Sequence, residues 1–239
     1  MRRETQNILL VLLGGALLKI SLNGTYLRYV KPAQLPWLIA AGAVMVAVAF
    51  ISIGQDVIAA RRPSGPVVDV HHHGSYSTWL LLLPVLAVFL IAPPALGEDS
   101  VNRASTRPPP PPTSSEAFGF APLPAGDVIE QSMRDFVERA AWDRSGSLNT
   151  RTVQLTGFVV HKDPDTFIAR MTISCCAADA YPVKVRLHGP GLDTLASDSW
   201  VKATVRIQPG TSNKDTLYVP TVDLVDIQPT AEPQDPYEY

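Results

Sequence analysis

The sequence predicts a membrane α-helical N-terminal half with three spans, followed by a small all-β, OB-like barrel with a helix in front of it. Three observations carry that expectation. Long apolar runs are confined to residues 1–96. A stretch rich in Pro, Ser, Thr and Arg fills 97–121 and reads as a linker. From residue 122 to 239 the chain is polar, first with helical and then with strand periodicity. The expected domains are therefore 1–96 transmembrane, 97–121 linker, and 122–239 soluble.

The apolar runs cover about 8–30, 35–53 and 78–96, each close to the roughly 20 residues that cross a bilayer. The first admits Lys19 and Asn23, and the second carries no charge. Arg2 and Arg3 give the N-terminus a basic start. No small-x-small cleavage site follows, so an uncleaved span fits better than a signal peptide. With the N-terminus inside, Arg2, Arg3, Arg61 and Arg62 face Arg28, Lys31, Arg103 and Arg107 across the membrane, a balance that leaves orientation undecided. The stiff run Pro108–Pro112 favours a tail that stands off the outer face. The expected protein is thus a multi-pass protein of the cell membrane with its C-terminal domain extracytoplasmic.

Gly15, Lys19 and Asn23 recur every four residues and share one helix face. A lysine inside a span either snorkels to the interface or meets a partner. The same three residues are the candidates for a polar seam that binds another membrane protein. Ala41, Met45 and Ala49, with Gly42 beside them, make one side of the second span small enough for close helix contact. The loop before the third run holds His71, His72 and His73. Consecutive imidazoles can take a metal ion, or simply form a polar loop.

In the soluble half, Asp127 is the expected cap of a helix that buries Ile129, Met133, Phe136, Val137 and Ala140 and runs to about Ala141. Strands are expected at Thr152–His161, Thr166–Ser174, Val183–His188, Ser199–Gln208 and Asp215–Ile227, separated by Gly/Pro turns. That many short strands in so little chain suggests a closed barrel. The acidic end, Glu232–Tyr239, reads as a solvated tail.

Cys175 and Cys176 are the only cysteines, and they are adjacent. A disulfide between neighbours strains the peptide between them, so the pair is poor material for a structural bridge. Thiolates suit Zn²⁺, Cu⁺ and other soft ions. On a regular strand, adjacent side chains point to opposite faces, so joint ligation needs a bulge or turn. His161 and His188 end two of the strands and are candidate further ligands. Asp179 can accept loop amides or support a ligand from behind. Inert packing in a tight corner and a redox-cycling pair remain open beside the soft-ion reading.

The run Cys-Cys-Ala-Ala-Asp-Ala (175–180), the upstream Leu-Thr-Gly-Phe-Val (155–159), Trp200-Val201 and the terminal Pro236-Tyr237-Glu238-Tyr239 resemble the YcgQ-like bacterial permease-subunit family. The resemblance extends in outline to the membrane half, through Tyr29-Val-Lys-Pro and the His-bearing loop. It implies partnership with a multi-span permease that handles a metal or another soft solute.

The net charge of -2 gives no nucleic-acid footprint. The chain has no phosphate-cradling glycine loop, nucleophile elbow or paired-histidine helix motif, so no enzyme is expected. The leading expectation is an accessory subunit of a permease that binds or hands over a transition-metal ion, with zinc and copper both open. The alternatives are a thiol-redox membrane protein and a module that binds a peptide or glycan.

Overall fold

The computed structural model describes residues 3–60, 86, 90, 94–104, 107–109 and 120–239. These fall into two compact units, Met1–Pro94 and Ala95–Tyr239.

The first unit is built on α1 (Arg3–Leu22) and α2 (Leu35–Ala60). α1 stops eight residues short of Val30 because Gly24 turns into the left-handed region at φ 79°, where a residue without Cβ is at ease. Asn23 Oδ1 accepts the Thr25 amide at 3.0 Å. Short 3-10 turns at Thr25–Arg28 and Pro32–Gln34 then bring the chain back into α2. The two helices pack at Gly14 and Gly42. A Cβ on Gly14 would lie 2.9 Å from the Gly42 carbonyl oxygen, and one on Gly42 would lie 3.1 Å from that of Gly14. Only glycines permit this approach.

One helix among the described residues, Pro32–Ala59, is long and apolar enough to cross a membrane. Trp37, Val44, Val48, Phe50, Ile51, Val57 and Ile58 stay exposed along it, unlike the one-sided burial of a core helix. The apolar part of α1, Gln6–Leu22, is shorter. Three spans are therefore not established: most of the third expected run, and His71, His72 and His73, lie outside the described residues.

The second unit contains a sheet of seven strands. They are β1 (Val128–Glu130), β2 (Thr152–Lys162), β3 (Asp165–Thr172), β4 (Tyr181–His188), β5 (Trp200–Ile207), β6 (Thr221–Pro229) and β7 (Tyr237–Glu238). Two helices accompany them, α3 (Glu98–Arg103) and α4 (Met133–Trp142). The ladders form a circuit. β2 pairs with β5, β5 with β6, β6 with β4, β4 with β3, and β3 with β2 again. All of these are antiparallel except β4–β6, which is parallel with Leu187 opposite Val222. β1 extends β2, and β7 extends β3, both in parallel.

Alternation along the strands makes two apolar clusters. Val153, Leu155, Val159, Ile168, Val185, Leu187, Val201, Ala203, Val205 and Val222 gather on one side with Met133 and Phe136 of α4. Phe158, Val160, Phe167, Ala169, Met171 and Ile173 face the other way, where Val101 of α3 and Tyr237 of β7 cover them. At Gly157 a Cβ would sit 2.6 Å from the Ala169 carbonyl oxygen and 3.2 Å from Met133 Cε. Glycine thus lets β2 pass from one partner to the next under the helix.

Several expectations are corrected here. Ala95 and Leu96 pack on the outer cluster, and Val101 is buried in it, so the start of the expected linker is part of the folded unit. α4 is capped by Ser132, whose hydroxyl accepts the Asp135 amide at 3.0 Å, not by Asp127. Residues 128–130 are instead a strand, held by non-local pairing to β2. β6 begins at Thr221 rather than Asp215. Asn213 Oδ1 accepts the amides of Asp215 and Thr216 and folds that stretch into a turn. The terminal residues are not a solvated tail, because Tyr237 is 3% exposed.

Candidate functional site

The cysteines lie in the loop that joins β3 to β4. β3 ends at Thr172, and the Ile173 amide donates to the Glu238 carbonyl at 2.9 Å. The chain then leaves the sheet, turns through a 3-10 segment at Ala177–Asp179, and enters β4 at Tyr181. Because the strand has ended, the opposite-face rule no longer applies. The Cys175 and Cys176 sulfurs sit 3.6 Å apart. Both thiols are free, Cys175 exposed and Cys176 half-buried.

Asp179 organises the loop. Its Oδ1 accepts the Ser174 amide at 2.7 Å, and its Oδ2 accepts the amides of Cys175 at 2.8 Å and Cys176 at 3.3 Å. The Cys175 side chain also lies beside this carboxylate. That thiol contact, with the Ser174 amide and the two cysteine amides, holds the Asp179 carboxyl down at about 2 despite some desolvation. The same contact, followed by that from Cys176, pushes the Cys175 thiol up to about 11. One ligand atom from each of Cys175, Cys176 and Asp179 lies within 4.8 Å of the others. The loop therefore presents two soft donors and one hard donor together.

The histidines are placed elsewhere. His161 is near the turn between β2 and β3, with Nδ1 3.1 Å from Thr166 Oγ1 and Nε2 2.8 Å from the Leu195 carbonyl. His188 ends β4 and pairs through Nδ1 with Asp223 Oδ1 at 2.8 Å. The near ends of β3 and β4 bracket the cysteine loop; His188 is at the far end of β4, and His161 on β2 lies opposite Thr166 at the far end of β3. A strand of 8 residues separates its ends by about 23 Å. Neither imidazole joins the cluster among the described residues. The sequence marked them as strand ends but could not say which ends, because that depends on the order of the hairpins.

Gly15, Lys19 and Asn23 lie away from the α2 contact. A Cβ on Gly15 would meet nothing within 4 Å, whereas Gly14 beside it is closely packed. Lys19 and Asn23 are exposed. Lys19 falls in the last turn of α1, where the helix dipole favours a cation.

Glu238 is the residue that sequence reasoning missed. Its Oε1 and Oε2 accept the first amides of α4, from Met133 at 2.8 Å and Arg134 at 2.7 Å. Arg170 Nε lies 4.0 Å away, while its guanidinium donates to the carbonyls of Asp235 and Tyr237 and covers the Trp200 ring at 5.0 Å. Burial pushes the Glu238 carboxyl up against the pull of those partners. The terminal strand thereby joins α4, β3 and the root of the cysteine loop. The only signal in the sequence was the aromatic pair flanking one acid at the chain's end.

A model of the family described as the DUF1980 C-terminal domain matches residues 141–239. The match takes in the cysteine loop and every strand from β2 onward, and leaves α1 and α2 outside it. No curated protein and no solved structure matches the chain.

Proposed function

We propose that this chain is a membrane-anchored accessory subunit of a multi-span permease, and that its C-terminal module captures or hands over a soft ion through Cys175 and Cys176. The observation that carries the reading is the cysteine loop. Two thiols 3.6 Å apart, with a carboxylate locked beside them, form a donor set. Thiolates of this kind select soft or borderline cations. Inert packing would place the sulfurs among aliphatic neighbours, yet Cys175 is exposed.

The closed circuit of ladders, with its one parallel step, supports an OB-like barrel as the frame. The match to the DUF1980 C-terminal domain supports kinship with the YcgQ-like permease subunits. The apolar exterior of α2 supports membrane anchoring. The reading places this protein in the cell membrane as a multi-pass chain with its C-terminal module outside, and assigns it no catalytic step.

The test is metal analysis of the full chain, purified in detergent with a non-thiol reductant. Wild type is expected to hold Zn²⁺ or Cu⁺ at about one ion per chain, and Cys175→Ser/Cys176→Ser to hold none. Equal metal content in the two would remove the ion from this reading. The contact between the sulfurs also favours a second reading, a dithiol that cycles to a disulfide. Alkylation and mass spectrometry across a series of redox buffers separate the two, because an absence of any oxidised population excludes cycling.

A further inference from the structure

We infer that the cysteine loop is shaped for a tetrahedral divalent ion of the zinc class, held by three ligands and open on its fourth side. This rests on the soft-ion reading above and adds the coordination class. Two sulfurs 3.6 Å apart, each about 2.3 Å from a shared ion, subtend about 103° at it. That is close to the tetrahedral angle. A two-coordinate Cu⁺ held in a line would need the sulfurs about 4.6 Å apart at the same bond length. The separation seen would have to widen by about 1 Å for that linear geometry, whereas it already suits the tetrahedral one.

The third ligand follows from the carboxylate's own bonding. A carboxylate offers about four lone-pair directions. Asp179 gives three of them to the amides of Ser174, Cys175 and Cys176. One direction remains, and a carboxylate oxygen lies within 4.8 Å of both sulfurs. When a divalent ion enters, both thiols lose their protons to solvent. The carboxylate direction that no amide occupies is then available to the ion. The amides hold the carboxylate in place whether or not an ion is present, which preorganises the site.

No fourth His, Cys, Asp or Glu joins the group among the described residues, and Cys175 faces solvent. Structural zinc sites close the sphere with four protein ligands, whereas sites that exchange a ligand leave one position open. An open side lets an incoming donor bind before the loop lets go, as transfer of the ion requires.

The experiment is a Co²⁺ titration of the reduced full chain in detergent, read by visible absorption, with Zn²⁺ as competitor and Cu⁺ measured against a chromogenic Cu⁺ chelator. The expected result is a 1:1 complex with intense tetrahedral d–d bands and thiolate-to-cobalt charge transfer, bleached by Zn²⁺. Cys176→Ser should weaken the charge-transfer band, and Cys175→Ser/Cys176→Ser should abolish it. Asp179→Asn should weaken binding about 10- to 100-fold. Added imidazole should shift the d–d bands by entering the open position. Weak octahedral bands, or 1:1 Cu⁺ binding with no Co²⁺ or Zn²⁺ binding, would overturn the tetrahedral assignment and leave the soft-ion reading standing. Bands unmoved by imidazole would overturn the open side. Binding of none of the three ions would end both readings.

Discussion

Cys175 is a thiol that its neighbours keep protonated. Asp179, and after it Cys176, push its pKa up to about 11. Only thiolate reacts with alkylating agents, so Cys175 should react slowly at pH 8 for so exposed a thiol. Asp179→Ala should return it toward the ordinary value near 9. The thiolate fraction then rises about 100-fold, but the less basic sulfur is a weaker nucleophile, leaving a net gain of about tenfold. Rates of iodoacetamide labelling, resolved by mass spectrometry, check this, and an unchanged rate would mean that Asp179 does not hold the proton. Asp179 carries a pH effect of its own. Its carboxyl titrates at about 2 in the folded chain against an ordinary 3.8. Its contribution to stability is full above about 4 and is lost as pH falls toward 2. At this scale the sequence was informative for the pair and for Asp179, because both depend on local spacing. It was uninformative for His161 and His188, whose positions depend on distant pairings.

The helix α4 begins on a borrowed cap. Ser132 satisfies the Asp135 amide, while Glu238, more than a hundred residues away in sequence, takes those of Met133 and Arg134. An acid at a helix N-terminus is stabilising through both the hydrogen bonds and the dipole. Glu238→Ala leaves two amides short of an acceptor and removes a charge 4.0 Å from Arg170, and should destabilise the module by about 1–3 kcal/mol. Denaturant unfolding measures this, and a midpoint within error of wild type would contradict the role. Burial raises the Glu238 pKa above its ordinary value. This group's contribution is therefore complete below about pH 4.5 and declines as pH rises through the folded value, opposite in sign to Asp179. β2 to β5 were legible from alternation and Gly/Pro turns to within about two residues, while the start of β6 was set six residues too early by the turn at Asn213. β1 and β7 were not legible, because two or three residues have no period and exist only through parallel pairing with β2 and β3.

Across the whole chain, an apolar helical hairpin and a β module are separate compact units. The hairpin makes its own prediction through adjacent glycines. Gly42→Leu would drive a side chain into Leu18 and the Gly14 carbonyl, while Gly15→Leu would meet nothing. Gly42→Leu should lower the yield of folded chain in membranes. Gly15→Leu should spare it and instead reduce co-purification of a co-expressed multi-span permease of the kind proposed as its partner, as Lys19→Leu should. Equal effects of the two glycine changes on yield would argue against this packing, and an unchanged permease yield would argue against the seam. The two compact units divide at Pro94, near the point where the apolar runs end. The boundary was misplaced because Ala95–Arg103 is short and polar in composition, yet it contributes Val101 to the outer cluster, a contact that composition does not register.

The most direct test of the vicinal pair is zinc-edge X-ray absorption on the reduced full chain loaded with one equivalent of Zn²⁺. Two sulfurs at about 2.3 Å with nitrogen or oxygen neighbours at about 2.0–2.2 Å are predicted, and Cys175→Ser/Cys176→Ser should lose the sulfur shell. A shell of nitrogen and oxygen alone in the wild-type chain would contradict the idea that these two thiols grip the ion.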